Sequence, residues 1–296
     1  MSTLILIDGS SILYRAYYVF PLLINSRGEP TGAIFGFINI LNNIIKKYNP
    51  SHMAVVFDSS SKNFRHEIFQ YYKCNRLPMP NNLRIQVQPL CEIIQAIGLK
   101  IITLNGVEAD DVIGTLSYNI NKSDDFLTLI STNDKDMAQL VTSKVNLINT
   151  DSKKILGPDE VKKKYGVSPK LIADLLAITG DSSDNIPGIP KIGKKTAVIL
   201  LNEIGGIKYI YSNLNKVACL SFRGAKSTIL KLQKYREIAL LSYKLAKIKT
   251  DVLVDLNHKD LVINNPNIIK LKKFFYRYEF KNFFELFIKI NNKNKL

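Results

Sequence analysis

The sequence predicts an α/β protein with a mostly parallel, doubly wound sheet, and three observations lead to it. Short β-rich runs alternate with stretches of helical period over the first half of the chain, the pattern of parallel strands joined by crossover helices. The runs are apolar at successive positions, as in AVVF at 54–57, which suits strands covered on both faces. Acidic residues recur just after these runs, at the sheet edge where such folds bind ligands.

Taken in order, the first strand is expected at 3–7, ending on Asp8. A helical stretch at 32–47 leads to a second strand at 53–57, followed by Asp58. Helical period returns at 83–97, then a third strand at 100–104, and then a helix over 108–121. A fourth strand at 127–131, a helical stretch at 135–140 and a fifth strand at 145–148 complete the series. After about residue 151 helical patterns dominate, at 158–165, 169–179, 194–203 and 225–247. Ser168-Pro169 supplies an N-cap and a first-turn proline. The chain therefore divides into an α/β core over 1–165 and a helical subdomain over 166–290 packed on it. The terminal KINNKNKL reads as a solvated tail.

Composition narrows the function. With 296 residues and 46% apolar content the chain can bury a full core. A net charge of +16 points to a polyanionic partner, nucleic acid first among them. Lys outnumbers Arg 33 to 8, and Ile and Asn are also abundant, the bias of an AT-rich genome, so charge alone settles little. Cys74, Cys91 and Cys219 form no CxxC pair and read as free thiols in a reducing cytoplasm. The N-terminus is too short an apolar run for a signal peptide, and no run of about 18 apolar residues exists to span a membrane. No Walker motif and no metal-spaced histidines are present.

Nine acidic residues stand where strands end or helices begin: Asp8, Asp58, Glu108, Asp110, Asp111, Asp134, Asp136, Asp181 and Asp184. Asp134 and Asp136 share one side of an extended segment. Asp181 and Asp184 would share a helix face, as would Glu108 and Asp111. Asp110 turns roughly 200° from Glu108 on a regular helix, so both reach one site only if Glu108 precedes the first turn. So many carboxylates in one place repel and would hold protons. Hard divalent cations such as Mg²⁺ or Mn²⁺ resolve the repulsion, and two of them can activate a water and stabilise the leaving oxygen of a phosphodiester. Asp8 alone is equally well read as a turn or N-cap residue, since DGS is turn chemistry.

The segment 62–84 interleaves Lys62, Arg65, Lys73, Arg76 and Arg84 with Phe64, Phe69, Tyr71 and Tyr72, pairing groups that take phosphates with faces that stack on bases. An amphipathic helix with solvated lysines is the plain alternative. The segment 185–201 runs from turn residues into a lysine-rich helix start, a pattern by which helix–hairpin–helix elements bind phosphate through backbone amides.

In VEADDVIGTL, STNDKDMAQLV, GDSSDNIPG, LSFRGAK and FRHEIFQYYKCNR the chain resembles the 5′→3′ exonuclease domain of bacterial DNA polymerase I, of the flap endonuclease family, from about residue 4 to 283. The resemblance implies a PIN-like 5′-nuclease core, with a helical arch at about 62–90 and a helix–hairpin–helix at 185–201. It implies a two-metal site (Mg²⁺ or Mn²⁺) on the nine carboxylates. Lys73, Arg76 and Arg15 would serve the chemistry. Tyr14, Arg65, Tyr72, Lys191, Gly193, Lys194, Lys195 and Thr196 would contact DNA, with K⁺ at the hairpin. The expected substrate is DNA with 5′ flaps, nicks or RNA primers, met by a monomer in the cytoplasm at the nucleoid. Because the resembled protein continues into polymerase domains, a separate DNA polymerase is an expected partner. In one departure Lys191 stands where family hairpins carry glycine, and a lysine at φ > 0 costs roughly 1–2 kcal/mol. Two rivals remain at this point: a PIN-like ribonuclease, and a non-catalytic protein that binds branched DNA.

Overall fold

The computed structural model describes residues 2–21, 23–122, 126–149, 154–280 and 283. The end of the expected second domain and the terminal KINNKNKL lie outside them. Strands β1 (Ser2–Asp8), β2 (His52–Val56), β3 (Lys100–Ile102), β4 (Phe126–Thr132), β5 (Val145–Asn149) and β6 (Ile155–Leu156) form one sheet in the order β3-β2-β1-β4-β5-β6. All pairings are parallel except β5 with β6. The strand order reverses direction between β1 and β4, which makes their carboxyl ends the switch point of the fold.

Alternation along each strand feeds two apolar layers. Ile5 and Ile7 of β1 point to one face, where α1 (Gly9–Val19), α2 (Gly32–Tyr48), α4 (Asn81–Ile97) and α13 (Ile268–Arg277) cover the sheet. Leu4 and Leu6 point to the other, under α5 (Ala109–Ile120), α6 (Pro158–Tyr165), α7 (Ile172–Thr179), α8 (Lys194–Glu203) and α12 (Arg236–Ala246). The short α3 (Phe64–Ile68), α9 (Ile207–Ser212) and α10 (Leu214–Ala218), with α11 (Ala225–Lys234), complete the chain. In α2, buried Ala33, Ile34, Phe37, Ile38, Leu41 and Ile44 recur at helical spacing, and Asn49 closes the helix in the left-handed region at φ 41°. Among the described residues no helix is long and apolar enough to cross a membrane.

Several elements differ in detail from their expected course. The segment 62–90, expected as a helical arch, is built from separate pieces. It holds the five-residue α3, a run of turns to Asn75, and the start of α4, whose Leu83, Gln86 and Leu90 are core residues. The expected helix at 225–247 breaks at Tyr235 into α11 and α12. Residues 136–140 form a 3₁₀ turn. The β6 edge strand, with only two residues, carried too little periodicity to be anticipated.

Candidate active site

Local turn chemistry sets each carboxylate at the switch point. Asp8 ends β1 and caps α1, its Oδ1 accepting from the Ser11 N–H at 3.0 Å. Its Oδ2 accepts from Thr132 Oγ1, at the end of β4, at 2.7 Å. Asp58, just past β2, accepts from the Ala109 N–H at 2.8 Å and so caps α5 from the neighbouring strand. Glu108 is the N-cap of α5 with extended backbone (φ −80°, ψ 152°). It therefore precedes the first turn, the condition under which it and Asp110 share a site. Asp134 accepts from the Asp136 N–H at 2.8 Å in the turn after β4. Asp181 and Asp184 sit in a closed loop rather than on a helix face, which corrects the expected spacing. The Asp181 N–H donates to Ile186 O at 2.9 Å and the Ile186 N–H returns the bond at 2.8 Å. Gly180 and Gly188, both at positive φ, close the loop back to back, where a Cβ on Gly188 would lie 2.2 Å from the Gly180 nitrogen.

Two kinds of carboxylate result. Burial pushes Asp8 up to about 7, helped by repulsion from Asp134 and Asp58 and opposed by the bonds from Ser11 and Thr132. Asp110 and Asp136 are raised well above the usual range, first by burial and then by Asp134 and other carboxylates. Asp134 is raised by burial and by Asp184. Asp136 Oδ1 is buried with no hydrogen-bond partner. The others face cations. Burial would raise Glu108 too, but Lys73 and Arg65 outweigh it and hold it low. Lys135 Nζ, 2.7 Å from Asp181 Oδ1, together with Ser183, overcomes burial at Asp181 in the same way.

Residues 71–76 lay their cations over this second group. Lys73 Nζ is 2.6 Å from Glu108 Oε1 and 3.6 Å from Asp184 Oδ2. Arg76 Nη2 is 2.5 Å from Asp184 Oδ1. Burial works against the Lys73 ammonium, but Glu108, Asp184 and Asp110 outweigh it and hold the proton on. Tyr14 on α1 is half-buried, which raises its hydroxyl, and it is near enough to Arg76 and Asp58 to feel both charges. Arg15 follows it on α1, half-buried.

Three expected roles do not match these surroundings. Arg65 is 2% exposed and cannot meet DNA. Its guanidinium donates to Leu245 O, Lys247 O and both oxygens of Asp111, and reaches Glu108 at 3.0 Å. Asp111, fully buried on Arg65 and the Lys249 N–H, is taken up by that pair rather than by the shared site. Tyr72 is 3% exposed, its hydroxyl turned to Glu108 and Asp184, so it has no face to offer a base.

The hairpin after the closed loop keeps its expected exposure. Lys191 adopts φ 63°, the strained region anticipated for it. Gly193 is the N-cap of α8, and a Cβ there would meet nothing within 4 Å, so backbone amides at this helix start are open to an anion. Lys194 and Lys195 are exposed and Thr196 half-buried in the first turn. Unanticipated here are Tyr165, whose ring lies under both Lys164 and Lys194, and Lys231, whose Nζ donates to Lys191 O at 3.2 Å. Neither carries a sequence signal, because each reaches the hairpin from another helix.

Among the described residues no three acidic, histidine or cysteine side chains already stand as a ready coordination group. Lysine, arginine, hydroxyl and amide donors occupy much of the carboxylate oxygen. The donor set nevertheless fits hard divalent cations: it is all oxygen, buried at Asp8 and Asp136 and half-buried at Asp110 and Asp134, short of positive charge at all four, and it includes an orphaned oxygen on Asp136.

Two family profiles match successive parts of the chain. The profile of the 5′-3′ exonuclease N-terminal resolvase-like domain matches residues 3–166, and that of the C-terminal SAM fold matches 167–268. A 5′-3′ exonuclease of Buchnera aphidicola subsp. Schizaphis graminum is 44% identical over 278 residues, covering 94% of this chain and 96% of the relative. DNA polymerase I of Pseudomonas aeruginosa is 48% identical over 283 residues, covering 95% of this chain and 31% of that protein. Among solved structures, T5 5′-exonuclease with bound zinc superposes with a TM-score of 0.68 at 21% identity, covering 82% of this chain and 89% of its own. The catalytic core of Rad2 in complex with a DNA substrate gives 0.63 at 17%, covering 94% and 88%. At these identities the two structures speak for the fold alone.

Proposed function

The chain belongs to the 5′-3′ exonuclease family, and from that premise we propose that it hydrolyses DNA phosphodiesters at 5′ ends, nicks and single-strand flaps, removing RNA primers and repair flaps. One observation carries the reading: buried and half-buried carboxylates, short of positive charge and close enough to repel one another, gather at the switch point with the charged Lys73 beside them.

Asp8, Asp110, Asp134 and Asp136 are the residues that would hold divalent ions, with Asp58, Glu108, Asp181 and Asp184 around them. All-oxygen donors favour Mg²⁺ or Mn²⁺. Such ions, when bound, supply the charge that activates a water and stabilises the leaving oxygen. The Lys73 ammonium, kept charged by its carboxylate neighbours, neutralises charge developing on the scissile phosphate. Arg76, half-exposed beside it, takes a phosphate oxygen. The bond broken joins phosphorus to the 3′ oxygen, which leaves with a proton, so the products end in a 5′-phosphate and a 3′-hydroxyl.

The hairpin would grip the duplex through the amides opening α8 and through Lys194 and Lys195. A K⁺ ion is proposed at the same turn, where the Lys231 ammonium on Lys191 O already brings positive charge. We take the protein to act as a monomer in the cytoplasm at the nucleoid. Related chains occur with and without a fused polymerase, which supports a separate DNA polymerase as its partner.

The test is a 5′-labelled flap DNA incubated with the protein with and without Mg²⁺. Metal-dependent cutting at the single-strand/duplex junction is expected. Tight binding without cutting in Mg²⁺ or Mn²⁺ would overturn the nuclease reading. Preference for single-stranded RNA would favour a ribonuclease.

A further inference from the structure

Resting on the reading of Lys73 above, we infer that Asn185 is a positioning residue for the Lys73 ammonium, acting through a latch between residues 71–76 and the loop closed by Gly180 and Gly188. Two non-glycine residues of the left-handed region face each other in this latch, Lys73 at φ 54° and Asn185 at φ 56°. A lysine there is strained and persists only where its surroundings over-determine it.

The surroundings do so from both sides. The Lys73 N–H donates to Asp184 O at 3.0 Å. Asn185 Nδ2 donates to Tyr71 O at 2.7 Å and approaches Cys74 Sγ at 3.3 Å. Asn75 Nδ2 donates to Ser182 O at 2.6 Å. The turn is thus tied to the loop before Lys73, at Lys73 and after it. Asparagine suits position 185 because its short polar side chain tolerates the left-handed backbone. The bend there follows directly on Asp184, whose carbonyl meets Lys73, while the Asn185 amide reaches across to Tyr71.

The loop is itself a firm anchor. Its ends are paired between Asp181 and Ile186, and the Gly188 N–H donates to Ser242 Oγ on α12 at 3.1 Å. A lysine stem spans only four carbons, so the place of its Cα sets which carboxylates and which phosphate the ammonium can reach. Misplacing a reacting-site group by about 1 Å costs on the order of 10²-fold in rate.

The test uses Asn185→Asp, which keeps the size and left-handed tolerance but removes the donor, and Asn185→Gly, which keeps the backbone without adding charge. Each is read alone and with Lys73→Met, on flap DNA in Mg²⁺. We expect each Asn185 variant to lower kcat about tenfold with KM changed less than about twofold, and to add less than about twofold in the Lys73→Met background. Cys74, exposed beside Asn185, should react several-fold faster with an aromatic disulfide in a Cys219→Ser background. Equal losses in both backgrounds, or an unchanged kcat, would overturn the positioning role. If Lys73→Met cuts at the wild-type rate, the Lys73 reading fails instead, and the latch stands or falls on whether Asn185→Asp speeds Cys74 labelling.

Discussion

At the residue scale the buried carboxylates and their one-to-one partners decide the chemistry. Asp134 repels Asp8, Asp110 and Asp136 at once. Asp134→Ala is expected to reduce single-turnover flap cleavage by at least about 10³-fold, while duplex affinity, measured by fluorescence anisotropy, stays within a few-fold. Wild-type cutting by that variant would refute the metal-holding role. Arg65 carries the opposite expectation. Arg65→Met strands Asp111 in the interior without its cation and leaves Glu108 with Lys73 alone, and breaking a buried pair from one side costs about 3–5 kcal/mol. Urea unfolding of the metal-free protein reads this directly, and a loss under about 1 kcal/mol would refute the structural role. Sequence could not separate Arg65 from Arg76. Both sit in the same basic, aromatic run, and what buries Arg65 is Leu245, 180 positions away.

At the element scale, α5 and the hairpin show how far spacing reaches. Glu108 and Asp110 were legible as candidates from the end of a strand, but their convergence depended on where the first turn of α5 begins, and helix starts follow capping rather than periodicity. The strain at Lys191 was legible too, because only glycine takes that backbone freely. The contact of Lys231 with its carbonyl was not, since α11 lies 40 positions downstream. Lys231→Met is therefore expected to weaken duplex binding several-fold, and to make the binding stronger in K⁺ than in Na⁺ at equal ionic strength. Binding indistinguishable from wild type in both salts would show that the ammonium does not support the turn. The course of the chain through 62–90 was not legible for a related reason. A basic, aromatic run has the same composition whether it stands as a helix over DNA or folds down on carboxylates.

At the scale of the whole molecule, the unpaired carboxylates tie stability to pH and metal. For Asp8 the folded-state pKa lies above the unfolded value of about 3.9, near 7. The folded state thus keeps a proton the unfolded chain has lost, and its stability falls as pH rises through that window. Asp110, Asp134 and Asp136 shift in the same direction. A divalent ion reverses this where the groups are ionised, so Mg²⁺ should raise Tm more at pH 8 than at pH 5.5. At a hundredfold excess over Kd the stabilisation is about 2.7 kcal/mol. Equal shifts at the two pH values would show that Mg²⁺ does not compete with protons for this site.

By itself the sequence determined the parallel sheet, five of its six strands in chain order, and the carboxylates at strand ends, because apolar periodicity and turn chemistry depend on residues a few positions apart. Only the tertiary structure decided which carboxylate meets which cation. Lys73 falls on Glu108, Arg76 on Asp184, Lys135 on Asp181, and Arg65 is withdrawn onto Asp111. Those pairings join segments dozens of residues apart, and charge pattern along a chain does not specify which charges packing will bring within 3 Å and shield from water.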